Sequence, residues 1–195
     1  TLFSVATDGT GLETLHEFAG GPSDGSGPQA ELTLVNGGLV GMTSSGGTGN
    51  VGVIFKLALD GSGYQVLRSF SLPALDASDP VDGFLQVGST LYGVGSSFGY
   101  AGNGSLYRLN TDGSGFQVVH DITAGPGQRQ SPLFTVVTDG EFLYGTTAVV
   151  WNGEGTIYKV RTDGSGFQIL RSFGSDPENG WGPASPLVLD GSVLY

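Results

Sequence analysis

The chain repeats one strand–turn–strand segment four times, and this repeat limits its fold more than any other feature. The copies centre on Asp8, Asp60, Asp112 and Asp163, which are spaced 52, 52 and 51 residues apart. A fixed period of this length is typical of propellers and other repeat arrays. The best-defined copy is Leu106–Val119, LYRLNTDGSGFQVV. We therefore expect a fold built from four equivalent units.

Each copy has the pattern of a β-hairpin. In the third copy, apolar and polar residues alternate before the turn, and β-branched and aromatic residues follow it. The turn itself is Asp112-Gly113-Ser114-Gly115, whose glycines permit the positive φ that a tight hairpin requires. We interpret Asp112 as a turn residue whose carboxylate accepts backbone N–H groups, rather than as a metal ligand. The same interpretation applies to Asp8, Asp60 and Asp163.

A second hairpin lies upstream in each period, so that one period contains four strands, a to d. Its copies are residues 32–41, 84–93, 134–145 and 187–195. Four-stranded units at this spacing are propeller blades, whereas a β-helix has a shorter period and a sandwich needs no fourfold repeat. The sequence predicts an all-β propeller of antiparallel blades, as a single domain or propeller segment over 1–195. The repeats are about 1–52, 53–104, 105–155 and 156–195.

The phase of the repeat predicts a split blade. The sequence starts with strands c and d of one blade and stops after strands a and b of another. Such halves are complementary, because an open sheet edge invites strand pairing. Three arrangements remain open: a four-bladed ring with a two-plus-two seam, pairing between chains into a larger ring or fibre, or a segment of a longer chain.

Connectivity separates two faces. The short turns lie at one end of the blades, and the long variable connections lie at the other. Binding groups are commonly carried on such long loops. Four aromatic residues there are the candidate ligand-binding residues, with packing over the core as the alternative: Phe98, Tyr100, Trp151 and Trp181.

Composition excludes several classes of function. The formal net charge of -11 argues against nucleic-acid binding, which requires cationic groups. No apolar run approaches the length of a membrane-spanning helix. Cysteine is absent, which excludes disulfides and thiol chemistry. We expect no cofactor.

The repeat resembles the GloVer-type tandem repeat, a choice-of-anchor repeat of bacterial surface proteins. The resemblance rests on Leu143-Tyr144-Gly145, on 155–159 and 162–173, and on the equivalent segments 91–93 and 104–122. It implies a propeller-like protein that is extracellular or attached to the bacterial surface. It implies no catalytic residues. The first copy departs from the pattern, with Leu39-Val40-Gly41 in place of Leu-Tyr-Gly and Leu12 in place of the aromatic residue.

The two histidines occupy a repeated position. His16 and His120 each follow their turn aspartate by eight residues, where the other copies have Arg68 and Arg171. A catalytic base has no reason to recur in this way, so we interpret the position as part of the scaffold. No serine elbow or metal-binding histidine pair accompanies them.

Acidic loops offer the remaining polar candidates. Weak candidates for a Ca²⁺ ligand are Asp76, Asp79, Asp176 and Glu178, although their spacing matches no calcium loop. Together with Asp82, the last three would supply the paired carboxylates of a polysaccharide lyase or hydrolase. This enzyme is the alternative function.

The function that we expect from the sequence is a non-enzymatic structural or binding module of the bacterial cell exterior. Protein–protein or glycan contacts would be made through the long-loop face or the open blade edges. We expect a homo-oligomer or contacts with neighbouring repeats.

The turn assignment is testable at Gly113. Substitution Gly113→Val should reduce stability by about 1 kcal/mol or more, because a β-branched residue disfavours positive φ. Thermal unfolding of the variant measures this, and an unchanged midpoint would contradict the assignment.

Overall fold

A computed structural model describes residues 1–71, 78–80, 82–97, 104–122, 130–132, 134–149, 155–174 and 182–195. In these ranges the regular elements are all β-strands, which confirms the predicted all-β class. The chain divides into two compact units, Thr1–Ala74 and Leu75–Tyr195.

The first unit contains two antiparallel sheets. A two-stranded sheet pairs β1 (Leu2–Ser4) with β2 (Glu13–His16). The strands of the five-stranded sheet are β3 (Gly25–Pro28), β4 (Thr33–Val35), β5 (Gly38–Gly46), β6 (Val53–Ala58) and β7 (Gln65–Ser69).

The second unit contains two five-stranded sheets and one two-stranded sheet. The first consists of β8 (Ser78–Pro80), β9 (Leu85–Val87), β10 (Thr90–Ser97), β11 (Ser105–Asn110) and β12 (Gln117–Asp121). The next consists of β13 (Gln130–Pro132), β14 (Val137–Thr138), β15 (Phe142–Val149), β16 (Gly155–Arg161) and β17 (Gln168–Phe173). The last pairs β18 (Leu189–Asp190) with β19 (Val193–Leu194).

Each five-stranded sheet is a predicted blade whose strand a is broken into two pieces. In the first blade, β3 and β4 both pair with β5, which is followed by β6 and then β7. The order a-b-c-d is therefore as predicted. The upstream pieces β3, β8 and β13 correct the sequence analysis, which assigned the segments before each a–b hairpin to the long variable connections.

The broken strand has a physical reason. Its upstream pieces end at Pro28, Pro80 and Pro132, which lack a backbone N–H and are tolerated on an edge strand. Their sequences, Gly-Ser-Gly-Pro, Ser-Asp-Pro and Gln-Ser-Pro, carry no hydrophobic alternation, so the pattern that reveals a strand is missing.

A glycine of strand b lies directly opposite an aromatic residue of strand c in every five-stranded sheet. A Cβ added to the glycine would lie 2.6–2.7 Å from Cζ of the facing ring, so only glycine leaves room for it. This contact explains the last residue of the Leu-Tyr-Gly motif. The pairs are Gly41–Phe55, Gly93–Tyr107 and Gly145–Tyr158.

These rings form the centre of the core. Phe55 packs with Leu2, Val53 and Leu57 in the first unit. Tyr158 packs with residues of the two larger sheets in the second unit, including Leu143. Burial raises the pKa of the Tyr158 phenol far above its ordinary value. The consecutive residues Ile54 and Phe55 are both buried, so both sides of this inner strand are apolar, as expected when blades pack face to face.

The two half-blades are present as separate hairpins. Among the described residues, β1 pairs with β2 alone and β19 pairs with β18 alone. The number of blades in a closed ring, the two-plus-two seam and the single-domain assignment therefore remain predictions.

The glycine–aromatic contact predicts non-additive mutations. Gly145→Ala should cost about 1–3 kcal/mol, because the methyl group meets the Tyr158 ring. In a Tyr158→Leu background the same change should cost less, because the ring is gone. Urea denaturation of the two single variants and the double variant measures the coupling. Equal costs in both backgrounds would contradict the contact.

Candidate functional site

The turn aspartates stabilise the hairpin turns at the short-turn end of the blades. In each turn, Oδ1 of the aspartate accepts the backbone N–H and the hydroxyl two residues later, over 2.6–3.0 Å. These hydrogen bonds lower the pKa of Asp8, Asp60 and Asp163. In the third turn, φ is +88° at Gly113 and +66° at Gly115. The carboxylates thus stabilise hairpin turns.

His16 is enclosed by an aromatic residue and a carboxylate. Its ring stacks on Tyr64 with centroids 3.7 Å apart, and its Nε2 lies 3.1 Å from Oδ1 of Asp24. Tyr64 follows the hairpin turn of the next repeat. The histidine therefore links two successive repeats in the first unit.

Asp24 organises the connection that leads to β3. Its carboxylate accepts the backbone N–H groups of Ala19 and Gly25, each over 2.7 Å, besides its contact with His16. Burial raises the pKa of Asp24, but hydrogen bonds from Tyr64, Ala19, His16 and Gly25 outweigh burial and lower it overall. Asp24 precedes Asp76 by one period of 52 residues. The carboxylate at this position of the first repeat thus accepts hydrogen bonds from backbone N–H groups.

His120 makes the equivalent stack in the second unit. Its ring lies parallel to Phe167 of the next repeat, with centroids 4.0 Å apart. Burial lowers the pKa of His120, against a smaller opposing effect of Asp121. The sequence located this basic position in the scaffold but did not identify its aromatic partner. The partner could have been found, because a residue four positions after the turn aspartate is aromatic in three of four copies.

Asp82 joins two blades of the second unit. One carboxylate oxygen accepts the N–H of Gly83 and the other accepts the N–H of Thr135, each over 2.9 Å. Thr135 in turn donates its hydroxyl to the carbonyl of Gly83. This candidate catalytic carboxylate is therefore engaged by backbone donors.

The other candidates from the sequence are not brought together in the described part of the chain. Asp79 belongs to β8. Outside the described residues lie Phe98, Tyr100, Trp151, Trp181, Asp76, Asp176 and Glu178. Within the described ranges, no group of three acidic, histidine or cysteine side chains is arranged to hold a metal ion.

A polar pocket of about 450 Å³ lies at the short-turn end of the second unit. Arg108, Asn110 and Gln117 line it. The guanidinium of Arg108 donates to Oε1 of Gln117 over 2.8 Å and to the carbonyl of Thr162 over 3.2 Å. Arg108 thus connects one blade to the turn of the next.

The open edge of β1 is the most unusual surface among the described residues. Phe3 is 59% exposed, whereas its counterparts Phe55, Tyr107 and Tyr158 are at most 1% exposed. Val5, two residues later and just past the end of β1, is 46% exposed. Its counterparts are at most 3% exposed: Leu57, Leu109 and Val160. In complete blades strand b pairs with strand c beside these positions, and in the described residues β1 has no such neighbour.

The hairpin of β18 and β19 also exposes large apolar side chains. Val188, Val193 and Tyr195 are all exposed, and Tyr195 is 72% exposed. This hairpin corresponds to strands a and b, which are the strands that β1 and β2 lack.

The profile of the Gloeobacter/Verrucomicrobia repeat matches residues 1–195. The chain belongs to this repeat family. This result confirms the resemblance inferred from Leu-Tyr-Gly and the Asp-Gly turns. Among curated proteins, none matches the chain.

Two solved structures match this repeat protein at low sequence identity. A TolB-like protein of Agrobacterium tumefaciens matches at a TM-score of 0.53 and 13% identity, over 87% of this chain and 56% of that one. The tricorn protease matches at a TM-score of 0.48 and 19% identity, over 87% of this chain and 14% of that one. The chain thus spans about half the length of the TolB-like structure. That β-propeller structure supports a propeller-like arrangement of blades.

In the described part of the repeat protein, helices able to span a membrane are absent.

The buried position of His120 predicts a pH dependence. Its folded pKa lies below the ordinary 6.5, so the unfolded chain takes up a proton at higher pH than the folded chain. The stabilising contribution is complete above pH 6.5 and is lost as pH falls toward the folded pKa. The melting temperature of the parent should therefore fall more between pH 7 and 5 than that of His120→Phe. Parallel curves would contradict this prediction.

Proposed function

We propose that this repeat protein is a non-enzymatic binding module of the bacterial cell exterior that makes protein contacts through its open sheet edges. The observation that carries the proposal is the exposure of Phe3 and Val5, at positions that are buried in every complete blade. An open strand also presents unpaired N–H and C=O groups, which another strand can bind. The β1 edge thus presents both exposed apolar side chains and backbone groups that can form hydrogen bonds.

The environments of the polar side chains support binding rather than catalysis. Both histidines are stacked on aromatic rings. Asp82 accepts two backbone N–H groups, and the turn aspartates accept donors of their own turns. Among the described residues, these histidines and aspartates therefore already stabilise the scaffold.

The hairpins suggest how the edges are used. Joining β19 to β1 would give the order β18-β19-β1-β2, which repeats the order β9-β10-β11-β12 of a complete blade. Made between copies, this head-to-tail contact would extend into a larger ring or fibre. Made within one chain, it would close a four-bladed ring.

The proposal predicts self-association that depends on Phe3. Light scattering at increasing concentration should give a mass above that of the 19.9 kDa chain. Phe3→Asp should remain at the mass of one chain, because it places a charge on the edge. Leu59→Asp is the matched control, since Leu59 is 55% exposed in a hairpin turn of the next repeat. Circular dichroism melts verify that both variants fold.

Two outcomes would contradict the proposal. Mass of one chain for the parent at all concentrations would contradict association between copies. Turnover of any polysaccharide in a panel, lost in Asp82→Asn, would favour the lyase or hydrolase instead.

A further inference from the structure

The open edge of β1 presents two apolar side chains whose counterparts always face the same two residues. In the second blade, Tyr107 lies opposite Gly93, and Leu109 lies opposite Leu91. In the third blade, Gly145 and Leu143 occupy these positions. The strand that covers such an edge therefore carries leucine and glycine two residues apart.

The same register is present in the first blade, although its motif differs. Gly41 lies opposite Phe55, and Leu39 lies opposite Leu57. The intervening residue is Val40 instead of tyrosine, so the tyrosine is not required for the fit. The shared feature of the three covering strands is Leu-x-Gly.

The two residues have different roles. The leucine is an apolar cover: Leu91 and Leu143 are both fully buried against strand c. The glycine provides space, because a Cβ at Gly93 would lie 2.7 Å from Cζ of Tyr107. A bulkier residue at this position would displace the ring or the strand.

We infer that the β1 edge selects a Leu-x-Gly strand of another repeat of this family, with the leucine on Val5 and the glycine opposite Phe3. This inference rests on the proposed edge-binding function and names its partner. Antiparallel pairing in the same register as in the complete blades would form both contacts at once. The leucine covers Val5, and the ring of Phe3 lies over the glycine. The partner is an a–b hairpin of another repeat.

A fluorescent peptide of residues 134–148 is the probe, because it contains Leu143 and Gly145 in a complete a–b hairpin sequence. It is titrated against the full chain and followed by polarisation. A second peptide differs only by Gly145→Val. We expect the valine peptide to bind about tenfold more weakly or worse, which corresponds to the lower part of the usual overpacking cost.

Variants of the chain locate the site. Phe3→Ser should abolish the preference for the glycine peptide and weaken its binding. Leu59→Ser, on an equally exposed apolar residue of a turn, should change neither. Phe3 is largely exposed, so Phe3→Ser should fold, and its melting temperature verifies this.

The outcomes separate the inference from the proposed function. Equal binding of both peptides, lost in Phe3→Ser, would overturn the glycine selection but leave an edge that binds strands. Binding of neither peptide would overturn both. Binding that survives Phe3→Ser unchanged would place the site elsewhere and also overturn the inference.

Discussion

The contact between a strand-b glycine and a strand-c aromatic ring is the interaction on which each blade depends. It recurs in all three five-stranded sheets with the same register. A large ring can lie flat on the neighbouring strand only where that strand has no side chain. The glycine weakens its own strand, since it loses more conformational entropy on folding, and the ring compensates by covering the backbone. The entropic cost of the glycine and the stabilisation by the ring therefore arise from one residue pair.

A second recurring contact joins successive blades, and it consists of a histidine ring stacked on an aromatic ring. His16 on Tyr64 and His120 on Phe167 place an imidazole of one repeat on an aromatic ring of the next. In the second unit, Asp82 and Arg108 add hydrogen bonds to the backbone of the following blade. Polar side chains thus fix the spacing between blades, while apolar side chains fill the interior. This division explains why residues that resemble catalytic candidates are used by the scaffold.

The fold could be predicted well from the sequence, because its strongest signals are periodic. The Asp-Gly turns at Asp60 and Asp112 mark one hairpin, and the Leu-Tyr-Gly segments mark the other. The upstream half of strand a could not be predicted, since Gly25–Pro28 has no hydrophobic alternation. The open edge could be inferred from the phase of the repeat. Its specificity could not, because it depends on which strand-b residue faces Phe55 or Tyr107, and that register is a property of three-dimensional pairing.

The identity of the facing residue also bears on how an exposed edge avoids indiscriminate pairing. Open strands with apolar side chains tend to aggregate, and proteins usually protect them with charge or irregular backbone. Here the net charge of -11 opposes the approach of copies in general. The ring of Phe3 adds a local restriction. A pairing strand that carries a side chain opposite Phe3 would clash with this ring. An edge that accepts only a glycine at one register position can be apolar and still exclude most strands. The residue pair that stabilises each complete blade would then also determine which strand the incomplete blade accepts.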